Sequence, residues 1–272
     1  MQPQYAAITG AAEGLGRSFA LACAQQGFNL VLIDLPHHKL DKLALHLAQS
    51  FTIDVLVIEQ DLCEANAAEN IARHIASKQI CLRLLVNNAG MGFSKPFQHL
   101  DEAQLCKILQ LNIQSLTSLT YQLLPLLKQN SEATIINVSS LASFFHLPFK
   151  SIYTASKAYV RFFSQSLRVE LKPDHIHVCA VCPGAINSNE QQFLTQLDAG
   201  WIGRKAVLHP DAVAKQAIEG ALAGKAIIIP GFINRLLLMC HAIIPSFISE
   251  SMLTNSMHRL ALSTANYAIK IS

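Results

Sequence analysis

Thr9-Gly-Ala-Ala-Glu-Gly-Leu-Gly16 joins two runs of different period. Before it, Tyr5–Thr9 is short and apolar, as a buried strand is. After it, apolar residues from Leu15 to Gln26 recur at helical spacing and stop at Gly27, a helix-ending residue. Three glycines at a strand-to-helix turn let backbone N–H groups approach a pyrophosphate resting on the positive end of the helix. The spacing is Gly-x-x-x-Gly-x-Gly rather than the commoner Gly-x-Gly-x-x-Gly, so the strand–turn–helix setting carries the reading. Thr9, Gly10, Glu13, Gly14, Leu15 and Gly16 are the candidate nucleotide-binding residues of this loop.

The alternation continues outward. Asn29–Asp34, Ile53–Ile58, Leu82–Val86, Thr134–Val138, Ile176–Val181 and Ala226–Ile229 read as strands. Ala65–Ser77, Asp101–Lys128 (with Pro125 near its end), Ser151–Leu171 and Asp211–Ala223 read as helices. Strands alternating with helices predict a doubly wound α/β fold of the Rossmann type with about seven parallel strands. The strands are nearly all apolar, as expected when helices cover both sheet faces. One domain over residues 1–272 is the economical division. The segment 186–209 has no clear strand and reads as a substrate lid, and 232–272 as an apolar helical extension.

Composition limits the partners. The chain has 272 residues, half of them hydrophobic, with a net charge of +3 and no Lys/Arg-rich run, which argues against nucleic acid. Met1-Gln-Pro-Gln-Tyr5 lacks the basic and apolar regions of a secretory signal. Seven scattered cysteines, an odd number, fit reduced thiols, so a cytoplasmic protein is expected. Cys179 and Cys182 have Cys-x-x-Cys spacing but read as core residues of a buried strand; with no second pair, no metal site is expected. The uncharged run Leu236–Ser249 is shorter than the ~20 residues of a spanning helix. It reads as a buried helix or an oligomer contact ahead of a surface touching lipid.

Asp34 ends the second strand, where a carboxylate accepts hydrogen bonds from ribose hydroxyls and repels a 2′-phosphate. Glu13 adds negative charge, so NAD is favoured over NADP. Asp61, after the third strand, is a candidate adenine contact or a plain turn residue. Further on, Tyr153-Thr-Ala-Ser-Lys157 places a phenol and an ammonium on one face of a helix. A free phenol, with a pKa near ~10, is a poor base at neutral pH. A neighbouring ammonium and the positive nicotinamide ring are expected to lower that value. Tyr153 then takes a proton from an alcohol as hydride leaves, or returns one to a ketone. Ser140, thirteen residues earlier, is placed to hydrogen-bond the substrate oxygen.

Taken together, Thr9-Gly-Ala-Ala-Glu-Gly-Leu-Gly16, Asp61-Leu62, Asn87-Asn-Ala-Gly90, Asn112, Val138-Ser-Ser140, Tyr153-x-x-x-Lys157 and Pro183-Gly184 closely resemble the short-chain dehydrogenase/reductase family, over residues from about 5 to 230. The resemblance implies further roles. Lys157 would bind the nicotinamide ribose, and Asn112 would hold a helix bend and a water behind it. Asn88 and Ala89 would pack near the adenosine and steady the central sheet, and Leu62 and Gly90 would also be cofactor-binding residues. Pro183 and Gly184 would lie by the nicotinamide, with Ile186 bonding the carboxamide through its backbone. Ser188 stands where the family often has Thr. Of Ser139 and Ser140, the spacing to Tyr153 favours Ser140 as the catalytic serine. The resemblance also implies the strand order 3-2-1-4-5-6-7 and a homodimer or homotetramer built on the helices ending near Lys128 and Leu171.

Leu141-Ala-Ser-Phe-Phe-His-Leu-Pro-Phe149 leads into the tyrosine helix. Its phenylalanines, Phe193, Leu194, Leu197, Trp201 and Ile202 of the lid, and Leu236–Met239 suggest a lipophilic alcohol or ketone as substrate. Packing against the core or another subunit explains them equally well. His146 reads as a loop residue, and His175 and His177 as structural residues with no obvious partner. The rival reading is a non-catalytic NAD(P)-binding sensor or scaffold. It predicts the loss of Tyr153 or Lys157, and both are present.

Overall fold

The computed structural model describes residues 3–36, 40–186 and 206–243. Seven strands form one parallel sheet: β1 (Gln4–Thr9), β2 (Asn29–Asp34), β3 (Val55–Glu59), β4 (Cys81–Asn87), β5 (Ala133–Val138), β6 (Ile176–Val181) and the two-residue β7 (Ile227–Ile228). Their order is β3-β2-β1-β4-β5-β6-β7, as the resemblance implied. The register runs Tyr5 beside Asn29 on one side of β1 and Ile8 beside Val86 on the other, and pairs Asn87 with Asn137 further along.

Strand side chains alternate between two cores. Ala6, Ile8, Leu30 and Leu32 pack with Phe19 and Ala20 of α1 (Gly14–Gln25), Leu40 and Leu47 of α2 (Leu40–Phe51), and Ala217 of α7 (Pro210–Leu222). Ala7, Val31, Ile33 and Leu85 pack with Ile71 and Ile75 of α3 (Ala67–Ser77), and with Leu119 and Leu123 of α5 (Leu116–Leu127). Each such Leu or Ile contributes about 1.5–3 kcal/mol of burial. The glycine predicted to stop α1 does so: Gly27 has φ +81 and its N–H reaches Ala24 O at 2.9 Å.

The structure departs from the expected elements in several places. No helix was read between Asp34 and Ile53, yet α2 lies there. The predicted Asp101–Lys128 helix is α4 (Glu102–Leu109) and α5 joined by a π-helical turn, Gln110–Ser115. α6 (Ser151–Glu170) matches its expectation closely, and α8 (Phe232–Ile243) begins the apolar extension. Residues 244–272, and 187–205 of the expected lid, lie outside the described residues. The lid's described ends meet: Ile186 bridges Leu208, and Leu208 N donates to Ala185 O at 3.1 Å.

Cys179 and Cys182 are buried free thiols, pushed up to about 12 and about 11 chiefly by burial, in keeping with a core role. His177 does have a carboxylate partner: its Nε2 lies 3.2 Å from Glu132, which Arg83 also reaches at 3.0 Å. Among the described residues no helix is long and apolar enough to cross a membrane.

Candidate active site

The glycine loop is held from beneath. Gly10 and Gly14 take φ of +63 and +53, the left-handed region that favours glycine. A Cβ on Gly16 would stand 1.7 Å from the Gly10 carbonyl oxygen, so α1 approaches the loop only because that residue has no side chain. Asn88 Nδ2 donates to Thr9 O at 2.9 Å and Gly10 O at 3.2 Å. Thr9 Oγ1 accepts from Asn88 N and Ala89 N at 2.9 and 3.0 Å and donates to Val86 O at 3.4 Å. Thr9 is 2% exposed. Its hydroxyl therefore ties the loop to the end of β4, which leaves the backbone of Thr9 as the part that can face a nucleotide.

Asp34 sits beside this loop. Its Oδ2 accepts from Ala12 N and its Oδ1 from Leu35 N, both at 2.7 Å. Glu13 precedes α1 in extended conformation and stands exposed. Asp61 accepts from Cys63 N at 2.8 Å, which makes it a turn residue whatever else it touches. Leu62 packs against the second core. The bare glycine cradle at a helix N-terminus, with a carboxylate at the end of β2, suits a dinucleotide.

The catalytic candidates converge at the ends of β4 and β5. Ser139 is 3% exposed and its hydroxyl donates to Lys157 O at 2.6 Å, so it is a structural residue. Ser140 turns out of the strand, accepts from Ala142 N at 3.1 Å and hydrogen-bonds Tyr153. Lys157 is 5% exposed; its Nζ donates to Val138 O at 2.9 Å and lies 6.0 Å from the centre of the Tyr153 ring.

Burial lowers Lys157 to about 8. Burial raises Tyr153 above the usual phenol value, and the bond from Ser140 only partly opposes it. This corrects the expectation that the ammonium depresses the phenol. Lys157 is turned towards a carbonyl at that distance, and desolvation is the larger effect.

Asn112 lies in the π turn, the helix irregularity that the resemblance implied. Its Oδ1 accepts from Met91 N at 2.9 Å, and its Nδ2 donates to Met91 O at 2.8 Å and Ser156 Oγ at 3.0 Å. Asn112 thereby pins the segment that follows Asn87-Asn-Ala-Gly90 against α6. A Cβ on Gly90 would stand 3.1 Å from both Asn112 Oδ1 and Lys157 Nζ. Pro183 is buried and its carbonyl accepts from Leu141 N at 2.7 Å, which joins the turn after Ser140 to the turn after β6. Ile186 and Gly184 follow on that second turn. Ser188 lies outside the described residues.

Sequence reasoning missed four contributors. Gly92 lies against the Tyr153 ring, where a Cβ would come within 2.6 Å of Cδ2. Ser156 donates to Tyr153 O at 2.8 Å and accepts from Asn112. Asn137 accepts from Asn87 Nδ2 at 2.8 Å and donates to Ser164 Oγ at 2.9 Å, a buried chain from β4 through β5 to α6. Ser156 sits three residues after Tyr153 on the same helix, a visible signal; the others depend on contacts distant in sequence. Phe144 is not simply a pocket wall. Its ring lies 4.3 Å from the Arg161 guanidinium, which Phe162 flanks at the same distance.

A parallel seven-stranded sheet with this glycine loop and this Ser–Tyr–Lys group defines a nucleotide-binding fold of the dehydrogenase kind. The short chain dehydrogenase family model matches residues 4–198, and the chain belongs to that family. The very-long-chain 3-oxoacyl-CoA reductase-A of Danio rerio is 32% identical over 66% of this chain and 57% of its own length. The human very-long-chain 3-oxoacyl-CoA reductase is 32% identical over 66% and 58%. The chain thus spans little more than half the length of these curated relatives. Among solved structures, a bulky-bulky ketone specific alcohol dehydrogenase from Comamonas testosteroni has TM-score 0.73 and 26% identity, covering 90% of this chain and 95% of that one. A short-chain dehydrogenase from Sphingobium yanoikuyae, in complex with NADPH, has TM-score 0.74 and 27% identity, covering 90% and 97%.

Proposed function

We propose that the chain is an oxidoreductase that moves hydride between a nicotinamide cofactor, NAD in preference to NADP, and a lipophilic alcohol or ketone. The observation that carries this reading is the Ser140–Tyr153–Lys157 group, with Asn112 behind it, beside the glycine cradle. The bound dinucleotide supplies the hydride acceptor or donor. Gly10, Gly14 and Gly16 admit its pyrophosphate, Asn88 and Ala89 wall the adenosine side, Gly90 lies beside Lys157, and Pro183, Gly184 and Ile186 flank the nicotinamide end. Ser140 donates to the substrate oxygen. Tyr153 gives a proton to that oxygen as a ketone becomes an alcohol, and takes it back in reverse. Lys157 holds the ribose edge, and Asn112 keeps the π turn closed behind it.

Asp34 and Glu13 support NAD, since a 2′-phosphate would meet two carboxylates. The names of the relatives support a large carbonyl substrate with an apolar flank, such as a 3-oxoacyl thioester or a bulky ketone. Tyr121, Phe162 and Val169, exposed on α5 and α6 at 74%, 60% and 74%, support a homodimer or homotetramer through those helices. The same reading keeps 1–272 as one catalytic domain, with 186–209 as its lid.

The test is turnover of 3-oxoacyl thioesters and bulky ketones with NADH and with NADPH, in wild type and Tyr153→Phe. The expected result is a loss of at least about 100-fold in kcat for Tyr153→Phe. Equal rates in the two proteins would remove Tyr153 as the acid and base.

A further inference from the structure

On α8, Asn234 is 1% exposed, while Phe232, Leu236, Leu237 and Met239 stand open at 72%, 47%, 39% and 65%. Among the described side chains of this helix, the buried one is thus an amide. A buried amide is costly unless it is hydrogen-bonded. Asn234 Nδ2 donates to Pro230 O at 3.0 Å and to Ala206 O at 3.3 Å. It also lies directly on the backbone of Gly184. A Cβ built there would stand 2.6 Å from Asn234 Oδ1, 2.7 Å from Nδ2 and 2.8 Å from Cγ. Gly231, with φ +84, gives way in the same manner, its Cβ position lying 3.2 Å from Nδ2. One side chain therefore touches the turn after β6, the residue that leads into α7 and the turn that starts α8. The Leu208 N–H to Ala185 O bond closes the same layer.

We propose that Asn234 is a positioning residue for the cofactor. Its amide sets the place of the Gly184 backbone, and hence of the Pro183–Gly184 turn at the nicotinamide end of the site. This rests on the reading of that turn as the nicotinamide wall. The absence of a side chain at residue 184 is what lets the amide seat; the absence of room is what fixes the turn. Asn234 does not touch the reacting atoms, so its effect falls on cofactor affinity and not on proton transfer.

The experiment is a double-mutant cycle between Gly184→Ala and Asn234→Ala, read as NADH and NADPH dissociation constants, kcat against cofactor KM, and thermal unfolding. Gly184→Ala places a methyl group into the amide and should weaken cofactor binding by about tenfold or more. Asn234→Ala removes the obstruction, so the double variant should bind more tightly than Gly184→Ala alone. The pH profile of kcat should be the same in all the variants. If Asn234→Ala does not fold, Asn234→Ser leaves comparable room and completes the cycle. Additive effects, or unfolding shifts with unchanged dissociation constants, would reduce Asn234 to a pin for α8 and overturn the proposal. Failure of wild type to bind either dinucleotide would instead overturn the oxidoreductase reading.

Discussion

Lys157 is the residue whose burial can be weighed most directly. The residue is 5% exposed, and burial lowers its pKa from 10.5 to about 8. Below pH 8 the folded and unfolded chains both carry the proton, and the folded chain bears the full cost of a buried charge. Between pH 8 and 10.5 the unfolded chain binds the proton and the folded chain does not, so stability rises with pH. The depressed folded value therefore gives stability that is present above 10.5 and is lost as pH falls through 8. At 1.36 kcal/mol per unit, the whole span is about 3 kcal/mol, and about 2 kcal/mol of it falls between pH 7.5 and 9.5. Tyr153 and the buried cysteines titrate with the opposite sign at alkaline pH, so wild type must be compared with Lys157→Met at each pH. Urea unfolding at pH 7.5, 8.5 and 9.5 gives the difference. Wild type should gain about 2 kcal/mol relative to Lys157→Met across that range. A flat difference would mean that Lys157 keeps its ordinary affinity for the proton, and the account of its burial would be wrong.

Gly16→Ala drives a methyl into the Gly10 carbonyl, and the loop must rebuild; dinucleotide affinity measured by nicotinamide fluorescence should drop ~10–100-fold with the circular dichroism unchanged. Asp34→Ala removes a carboxylate facing the expected 2′-phosphate, and the ratio of NADH to NADPH affinity should move towards NADPH by at least about tenfold. A ratio that stays put, or wild type binding NADPH more tightly, counts against the NAD preference. Asn112→Ala strips partners from Met91 N, Met91 O and Ser156. It should lower stability by about 2–4 kcal/mol in denaturant titration, and a loss below 1 kcal/mol would show that the π turn does not depend on it.

The parallel α/β sheet was readable because strands covered on both faces are largely apolar, as β1, β2 and β5 are, whereas the strand order followed only from the family resemblance. The site was readable because its residues keep fixed spacings: Gly10, Gly14 and Gly16 in the loop, and Tyr153 and Lys157 on one helix face. α2 was missed although Leu40, Ala44 and Leu47 recur at helical spacing and are buried. Leu43 and Leu45 blur that stripe, and Leu45 is 60% exposed. The π turn has no local signature, since Gln110–Ser115 continues an ordinary helical pattern and its distortion is fastened by bonds to Met91 and Ser156. Thr9 opens the glycine motif, and only the neighbouring strand reveals that its hydroxyl serves Asn88 and Ala89. Gly92, Gly184 and Asn234 acquire meaning from approaches between segments far apart in the chain, which no spacing rule records.

The same desolvation acts on both members of the candidate catalytic pair, and it favours the neutral form of each. Lys157 is brought to a value close to working pH, and Tyr153 is held in its protonated form. A protonated phenol is the form that completes ketone reduction, because the substrate oxygen needs a proton as hydride arrives. Alcohol oxidation needs the phenol's proton removed first, against the burial. The positive charge of an oxidised nicotinamide ring lies on the side of removal, and the charge is gone in the reduced cofactor. Burial thus opposes loss of the phenol's proton whichever cofactor is bound, and only the charge of an oxidised ring would work against it. Gly92 against its ring and Ser156 under its carbonyl hold Tyr153 in the place where that burial acts.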